Sequence, residues 1–226
     1  MPLKDAVIAF DLDGTLVDTA PDLIGALNET LAHQGLGPLP LLAGRRLIGH
    51  GVRSLVVRGF AEAGRPLEPG ETDSEVERFA RVYSGRIALE SRPYQGVEPA
   101  LDRLRTLGAR LVVCTNKRTD LSLELLDALE LTPQFDAVVG SDQIAQKPDP
   151  RLLWLAIERA GGVRDRALYV GDSYVDQAAG RAAGVPVVGV SYGYVDPPLK
   201  AEDFDALIDR MDELPPIAER LFARRP

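Results

Sequence analysis

The sequence predicts an α/β fold, a doubly wound parallel sheet with a Rossmann-like core and an inserted all-helical domain. Three observations lead to this prediction. Short apolar runs alternate with helical patterns, an all-helical block interrupts the alternation after the first run, and polar clusters directly follow three of the runs. We therefore expect an α/β core in residues 1–17 and 92–226 and a helical domain in residues 18–91.

The first apolar run, residues 6–10, is short and partly β-branched, and Asp11-Leu12-Asp13-Gly14-Thr15 follows it. These features favour a strand that is buried on both faces and ends in a loop. From here to residue 91 no stretch has a strand pattern, and glycine- and proline-rich joints separate helical ones. We predict helices over residues 21–33, 41–47, 52–63 and 74–90.

Beyond Pro93, strand and helix patterns alternate to the end of the chain. Such alternation is typical of a parallel sheet with helices on both faces. The predicted strands span residues 110–114, 137–139, 167–170, 185–190 and 206–208. The predicted helices span residues 97–107, 120–129, 150–160, 175–183 and 214–222.

The composition excludes several classes of function. Hydrophobic residues make up 45% of the 226 residues and charged residues 27%, which is ordinary for a soluble globular protein. The net charge of −8 argues against a general nucleic-acid binder or a protein of anionic membranes. There is neither a run approaching the ~20 apolar residues of a membrane span nor a signal-like segment, so we expect a cytoplasmic protein. The lone Cys114 lies in an apolar run and is expected in the core.

Two carboxylates, Asp11 and Asp13, follow the first predicted strand. In extended backbone, residues two apart point the same way. Carboxylates held at close range repel each other unless a cation or a shared proton relieves them. Mg²⁺ suits this position because it prefers oxygen ligands and commonly binds carboxylates together with a substrate phosphate. Taken alone, the motif fits a surface turn equally well.

Polar side chains follow three of the predicted strands at the point where each ends. The three clusters are Asp11 with Asp13, Thr115 with Asn116, and Asp172 with Ser173. Ligands of open α/β sheets bind at the carboxyl ends of the strands. Lys147, in the polar stretch after the strand predicted at 137–139, is placed to supply a cation at the same edge.

These motifs, in this order, resemble the haloacid dehalogenase-like phosphatases. That family carries Asp-x-Asp-x-Thr, a Ser or Thr ending the second core strand, a Lys often followed by Pro, and Gly-Asp-x-x-x-Asp. The matching residues here are Asp11, Asp13, Thr15, Thr115, Lys147, Pro148, Gly171, Asp172 and Asp176. The helical block falls at the position of that family's small cap domain.

Within the family, the chain most resembles the branch that hydrolyses 2-phosphoglycolate. The similar segments are residues 12–19, Ile48-Gly49-His50-Gly51 and Tyr192-Gly193-Tyr194. The resemblance therefore implies a Mg²⁺-dependent phosphatase whose partner is a small phosphorylated metabolite. A monomer and a homodimer both remain compatible with the sequence.

The resemblance also implies the roles of the acidic residues. Asp11 would attack phosphorus and become an aspartyl phosphate, while Asp13 would act first as general acid and then as general base. Mg²⁺ would be bound by Asp11, by the backbone carbonyl of Asp13 and by Asp172. Asp176 would bind the metal through water or orient Lys147.

The other candidates would bind the substrate. Thr115 and the Asn116 amide are placed to donate hydrogen bonds to phosphoryl oxygens, and Gly14 allows backbone amides to approach them. Lys147 would neutralise the charge shared by Asp11 and the transferring group. In the predicted cap, the candidates to meet a substrate carboxylate are Arg45, Arg46, His50 and Arg53.

Other functions stay open at this point. A β-phosphoglucomutase-like phosphomutase, or a phosphatase for another small sugar phosphate, shares the Asp pair and the helical cap. A receiver-like signalling domain also holds an aspartyl phosphate with acidic loops, Thr, Lys and Mg²⁺, although its accepting Asp usually follows a mid-chain strand. A non-catalytic binding protein is the remaining alternative.

Overall fold

The computed structural model describes residues 1–195 and 197–223. Its strands are β1 (Val7–Phe10), β2 (Val17–Asp18), β3 (Arg92–Pro93), β4 (Arg110–Thr115), β5 (Ala137–Gly140), β6 (Ala167–Gly171), β7 (Val187–Val190) and β8 (Ala206–Ile208). Six of them form one sheet in the order β5-β4-β1-β6-β7-β8, and every neighbouring pair is parallel. β2 and β3 form a separate antiparallel pair.

Helices cover both faces of the six-stranded sheet. The helices of the described residues are α1 (Ala20–Ala32), α2 (Leu41–Arg45), α3 (Gly51–Glu62), α4 (Thr72–Ser84), α5 (Val97–Thr106), α6 (Thr119–Ala128), α7 (Pro150–Arg159), α8 (Tyr174–Ala183) and α9 (Leu214–Ala223). α7 and α8 pack on one face, and α5, α6 and α9 pack on the other. This confirms the predicted parallel sheet and its flanking helices. Within residues 1–195 and 197–223, no helix is long and apolar enough to cross a membrane.

The predicted elements differ from the structure at two places. All six strands of the main sheet lie where the sequence predicted them, but the helix predicted over residues 74–90 ends at Ser84. Gly85 follows directly, and glycine is a poor helix former. The short strands β2 and β3 were not predicted, since two residues are too few to show an alternating pattern. Cys114 is a buried core residue, as expected.

Helices α1 to α4, residues 20–84, stand between β2 and β3 and pack mainly on one another; we call them the helical segment. Leu23, Leu27 and Leu31 share one face of α1 and are buried. The chain enters and leaves this segment side by side, because Val17 pairs with Pro93 and Asp18 with Arg92.

Asp22 ties the two ends of the helical segment together. Its carboxylate is fully buried, and Oδ2 accepts hydrogen bonds from the backbone nitrogens of Glu90 (2.9 Å) and Ser91 (2.7 Å) and from Ser91 Oγ (2.7 Å). Arg86 Nε lies 3.5 Å from Oδ1. One side chain near the start of α1 therefore fixes the returning chain just before β3.

Replacing Asp22 with alanine should lower the free energy of unfolding by about 2–4 kcal/mol, because several buried donors lose one charged acceptor. Urea unfolding of the wild type and Asp22→Ala measures the difference. Asp73→Ala is the matched control: Asp73 lies in the same segment, but its side chain is 78% exposed and pairs with Arg53 on the surface. That variant should lose less than about 1 kcal/mol, and equal losses would contradict the role given to Asp22.

Candidate active site

The polar residues that follow β1, β4 and β6 meet at one edge of the sheet. This follows from the parallel order β4-β1-β6, which places the carboxyl ends of three adjacent strands together. Carboxylate oxygens of Asp11, Asp172 and Asp176 lie within 4.8 Å of one another, and all three residues are buried. The loop after β5 brings Lys147 to the same place. We call these four residues the acidic centre.

Lys147 joins two of the carboxylates. Its Nζ lies 2.8 Å from Asp11 Oδ1 and 2.7 Å from Asp176 Oδ1, and it donates to the hydroxyl of Tyr169 at 2.9 Å. Burial opposes the charge of this ammonium, but Asp11 and Asp176 outweigh burial and raise its pKa above the ordinary value. Lys147 therefore stays charged beside Asp11.

Asp176 has hydrogen-bond partners on both carboxylate oxygens. Besides Lys147, Oδ1 has the Tyr169 hydroxyl at 2.8 Å. Oδ2 accepts from the backbone nitrogen (3.1 Å) and hydroxyl (2.6 Å) of Ser173, which caps the start of α8. This arrangement favours the orienting role of Asp176 over direct metal binding. Tyr169, inside β6, was not singled out from the sequence because a tyrosine in an apolar run is ordinary core.

Asp172 is enclosed by backbone. Oδ2 accepts from the Tyr194 nitrogen at 2.8 Å, and Thr15 Oγ1 lies 3.3 Å from Oδ1. A Cβ added to Gly14 would stand 2.5 Å from Oδ2, and one added to Gly193 would stand 2.2 Å from the Asp172 Cβ. Gly14 also has φ +85°, which glycine adopts readily. Both positions therefore require glycine for Asp172 to lie here.

The acidic centre holds more negative than positive groups. Burial raises the pKa of Asp11 to about 6, an effect that Lys147 reduces and Asp176 reinforces. Burial, with Asp176 and Asp11 nearby, raises the pKa of Asp172 well above its ordinary value. A hard divalent cation fits such a site, because it prefers oxygen donors and would offset the repulsion among the carboxylates.

Asp13 turns its carboxylate to a different set of partners. Thr19 Oγ1 donates to Oδ1 at 2.7 Å, and Lys117 Nζ lies 3.0 and 3.3 Å from the two oxygens. The Lys117 side chain is only 1% exposed, and its ammonium stands 4.5 Å from the centre of the Tyr83 ring on α4. Lys117 was not predicted from the sequence to be a site residue, because a lysine that follows a strand usually belongs to a solvated loop.

Asn116 connects the acidic centre to the helical segment. Its Oδ1 accepts from the backbone nitrogen of Lys147 at 2.7 Å, and its Nδ2 donates to the carbonyls of Gly49 (3.1 Å) and Lys147 (3.3 Å). The amide predicted to bind phosphate thus also positions Lys147. Thr115 Oγ1 accepts from the Lys117 nitrogen at 3.2 Å.

A small cavity of about 20 Å³ lies between the strand ends and the helical segment; we call it the strand-end cavity. The sheet contributes polar side chains, and α1, α3 and the loop before α3 contribute a mostly apolar wall. Its lining residues are Asp11, Asp13, Leu23, Ile48, Gly49, Gly51, Val52, Leu55, Thr115, Asn116 and Lys117.

None of the four cap candidates lines the strand-end cavity, and Arg46 lines a second cavity that adjoins it. Arg45 pairs with Asp18 at 2.7 Å. Arg53 pairs with the exposed Asp73. His50 is exposed and borders the same second cavity, which also reaches Asp13. The structure therefore does not bring Arg45, His50 and Arg53 together at one place.

The chain is similar to known proteins over most of its length. The chain matches the family described as haloacid dehalogenase-like hydrolase over residues 8–190. It is 50% identical over 214 residues to a phosphoglycolate phosphatase of Caulobacter vibrioides, covering 94% of this chain and 90% of the other. A phosphoglycolate phosphatase of Mesorhizobium japonicum is 44% identical over 217 residues, with 95% and 96% covered. The crystal structure of a predicted phosphoglycolate phosphatase from Haemophilus somnus 129pt has a TM-score of 0.85 at 29% identity, covering 95% of this chain and 98% of that one.

Together with the parallel sheet and the acidic centre, these matches define the class of the protein as a phosphoric monoester hydrolase. The chain belongs to the haloacid dehalogenase-like hydrolase family. The resemblance seen in its four motifs is thereby confirmed.

Adding Mg²⁺ to metal-free protein should raise its thermal stability, because a cation relieves the repulsion among Asp11, Asp172 and Asp176. At about 10–100 times its Kd, one bound ligand contributes about 1.4–2.7 kcal/mol. The gain should shrink as the pH falls from about 8 to 5, since Asp11, whose pKa is raised to about 6, then holds a proton that the metal must displace. Scanning fluorimetry at each pH measures the gain.

Two variants serve as controls for this experiment. Asp172→Asn removes a buried charge from the acidic centre and should abolish most of the gain. Asp120→Asn removes an aspartate whose side chain is 59% exposed and should keep it. Equal gains in the two variants would place the metal elsewhere.

Proposed function

We propose that this hydrolase converts 2-phosphoglycolate to glycolate and phosphate in a Mg²⁺-dependent reaction through an aspartyl phosphate on Asp11. The observation that carries the proposal is the position of Asp11. Asp11 directly follows β1, and its carboxylate lies beside Lys147 and Asp172. Asp11 also lines the same cavity as Asp13. The phosphoglycolate phosphatases at 50% and 44% identity support the choice of substrate.

In the first step, a carboxylate oxygen of Asp11 attacks phosphorus and the bond from phosphorus to the ester oxygen breaks. Asp13 gives its proton to that oxygen, so the alcohol leaves neutral. Lys147, 2.8 Å from Asp11 Oδ1, places a positive charge where the attacking carboxylate meets the phosphoryl group. Thr115 is placed to donate to a phosphoryl oxygen from the cavity wall.

In the second step, water attacks phosphorus and the bond to Asp11 breaks, which releases phosphate. Asp13 is now a carboxylate and takes the proton of the attacking water. One residue serves both steps because the first step leaves it in the form that the second requires.

Asp11, Asp172 and the backbone carbonyl of Asp13 would hold Mg²⁺. When bound, the ion offsets the negative charge that collects as the phosphoryl group approaches Asp11. Asp176 acts through Lys147, whose ammonium it holds at 2.7 Å. The glycines at positions 14 and 193 leave the space in which Asp172 reaches the centre.

The helical segment would act as the cap of this site, as the division into residues 18–91 and the remaining chain predicts. Support comes from the strand-end cavity, which has Leu23, Val52 and Leu55 of α1 and α3 opposite the strand ends. A wall of this kind excludes water from the reaction and limits the size of the substrate.

A panel of phosphate esters tests the proposed function. Phosphate release should be fastest from 2-phosphoglycolate with Mg²⁺ and should disappear in EDTA. Sugar phosphates should be hydrolysed slowly and not isomerised, since isomerisation would indicate the phosphomutase alternative. Asp11→Asn, nearly isosteric but a poor nucleophile, should retain less than about 1% of the activity. A more active Asp11→Asn variant would overturn Asp11 as the nucleophile.

The role of Asp13 is tested by the nature of the leaving group. Asp13→Asn should slow the hydrolysis of 2-phosphoglycolate by about 10²–10⁴-fold, because the alkoxide then leaves without a proton. The loss on para-nitrophenyl phosphate should be at least about tenfold smaller, since a stabilised anion leaves more easily. Steady-state kinetics on both esters give the ratio. Equal losses would mean that Asp13 does not protonate the leaving oxygen.

A further inference from the structure

Lys117 is a buried cation that the two steps above do not use. Its side chain is 1% exposed, although a lysine in a loop after a strand ordinarily extends into water. Its ammonium lies 3.0 and 3.3 Å from the two carboxylate oxygens of Asp13 and 4.5 Å from the centre of the Tyr83 ring. A positive charge is therefore held inside the protein, at the wall of the strand-end cavity.

Lys117 is one of the residues that line the strand-end cavity. Among the described residues that line this cavity, Lys117 is the one with a cationic side chain. Lys147 stands behind Asp11 and is held by Asp176 and Tyr169. A second anionic group on a substrate bound at Asp11 would thus meet Lys117 first.

The partners of Lys117 allow it to exchange one carboxylate for another. Asp13 would keep the hydrogen bond from Thr19 if the ammonium moved away, so it would not be left without a donor. The Tyr83 ring, 4.5 Å from Nζ, contacts the ammonium from the helical segment and can continue to do so. The ion pair with Asp13 can thus be replaced by one with a substrate.

We propose that Lys117 binds the carboxylate of the substrate and, in doing so, gives up its ion pair with Asp13. The proposal rests on the proposed function, because it takes 2-phosphoglycolate as the substrate. An ester without the carboxylate leaves Lys117 on Asp13 and keeps that side chain turned away from the leaving oxygen. Lys117 therefore selects for an anionic substrate in kcat as well as in KM.

The test compares 2-phosphoglycolate with 2-hydroxyethyl phosphate, which has a similar size and no carboxylate. Lys117→Met should lower kcat/KM for 2-phosphoglycolate by about 10- to 100-fold more than for 2-hydroxyethyl phosphate. Arg118→Met is the matched control, because the neighbouring Arg118 is half exposed and pairs with Asp120 outside the cavity. It should leave the ratio of the two substrates within about threefold of the wild type.

Two results would overturn the proposal. Equal losses on both substrates in Lys117→Met would mean that Lys117 only positions Asp13. A change of the ratio in Arg46→Ala, but not in Lys117→Met, would assign the carboxylate to the second cavity, which Arg46 lines together with His50. Wild-type enzyme that fails to prefer 2-phosphoglycolate would defeat the proposed function itself, before any variant is compared.

A binding measurement covers the case in which Lys117→Met does not fold. Removing both partners of a buried pair is tolerated better than removing one. We would therefore compare Asp11→Asn/Asp13→Asn with the same protein carrying Lys117→Met, by calorimetry without turnover. The added change should weaken binding of 2-phosphoglycolate by at least about tenfold and leave binding of inorganic phosphate unchanged. Equal weakening of both ligands would refute a contact with the carboxylate.

Discussion

Repulsion among carboxylates buried at one edge of the sheet is the constraint on which the rest of this structure depends. Asp11, Asp172 and Asp176 lie within 4.8 Å of one another with Lys147 among them. Such a group is costly to bury, and the surrounding chain reduces the cost with directed donors. Ser173 supplies two of them. The repulsion that remains among the carboxylates favours the binding of a cation, and a bound cation would in turn attract a phosphate.

The predicted parts of the site follow from topology. A strand that ends in Asp-x-Asp and neighbouring strands that end in Thr or Asp must bring those residues to a common edge once the sheet is parallel. Asp11, Thr115 and Asp172 were therefore predictable from short apolar runs alone. The sheet order explains why: β1 lies between β4 and β6, so its end is the centre of the edge.

The unpredicted parts depend on contacts between residues far apart in the chain. The role of Lys117 depends on its contacts with Asp13 and with Tyr83 of α4. Neither contact produces a pattern in the sequence around Lys117. Asp22 reads as an ordinary acidic residue in the first turn of a helix until its partners at residues 90 and 91 are known. Arg45, conversely, was predicted to bind the substrate, but in the structure it pairs with Asp18. That pairing depends on how the chain between the two residues folds. Charge in a sequence thus indicates chemistry without indicating the partner.

The central position of β1 also bears on how the chain is synthesised. β1 is made before its partners in the sheet, which are residues 110–113 on one side and 167–170 on the other. One edge of β1 lacks its native partner until residue 113 has been made and the other until residue 170 has been made, and contacts so distant in sequence form slowly. The helical segment, whose contacts are mostly internal, can fold in that interval. Asp11 therefore stands at first at the end of an unpaired strand, and it joins Asp172 and Asp176 only when β6 and α8 have formed.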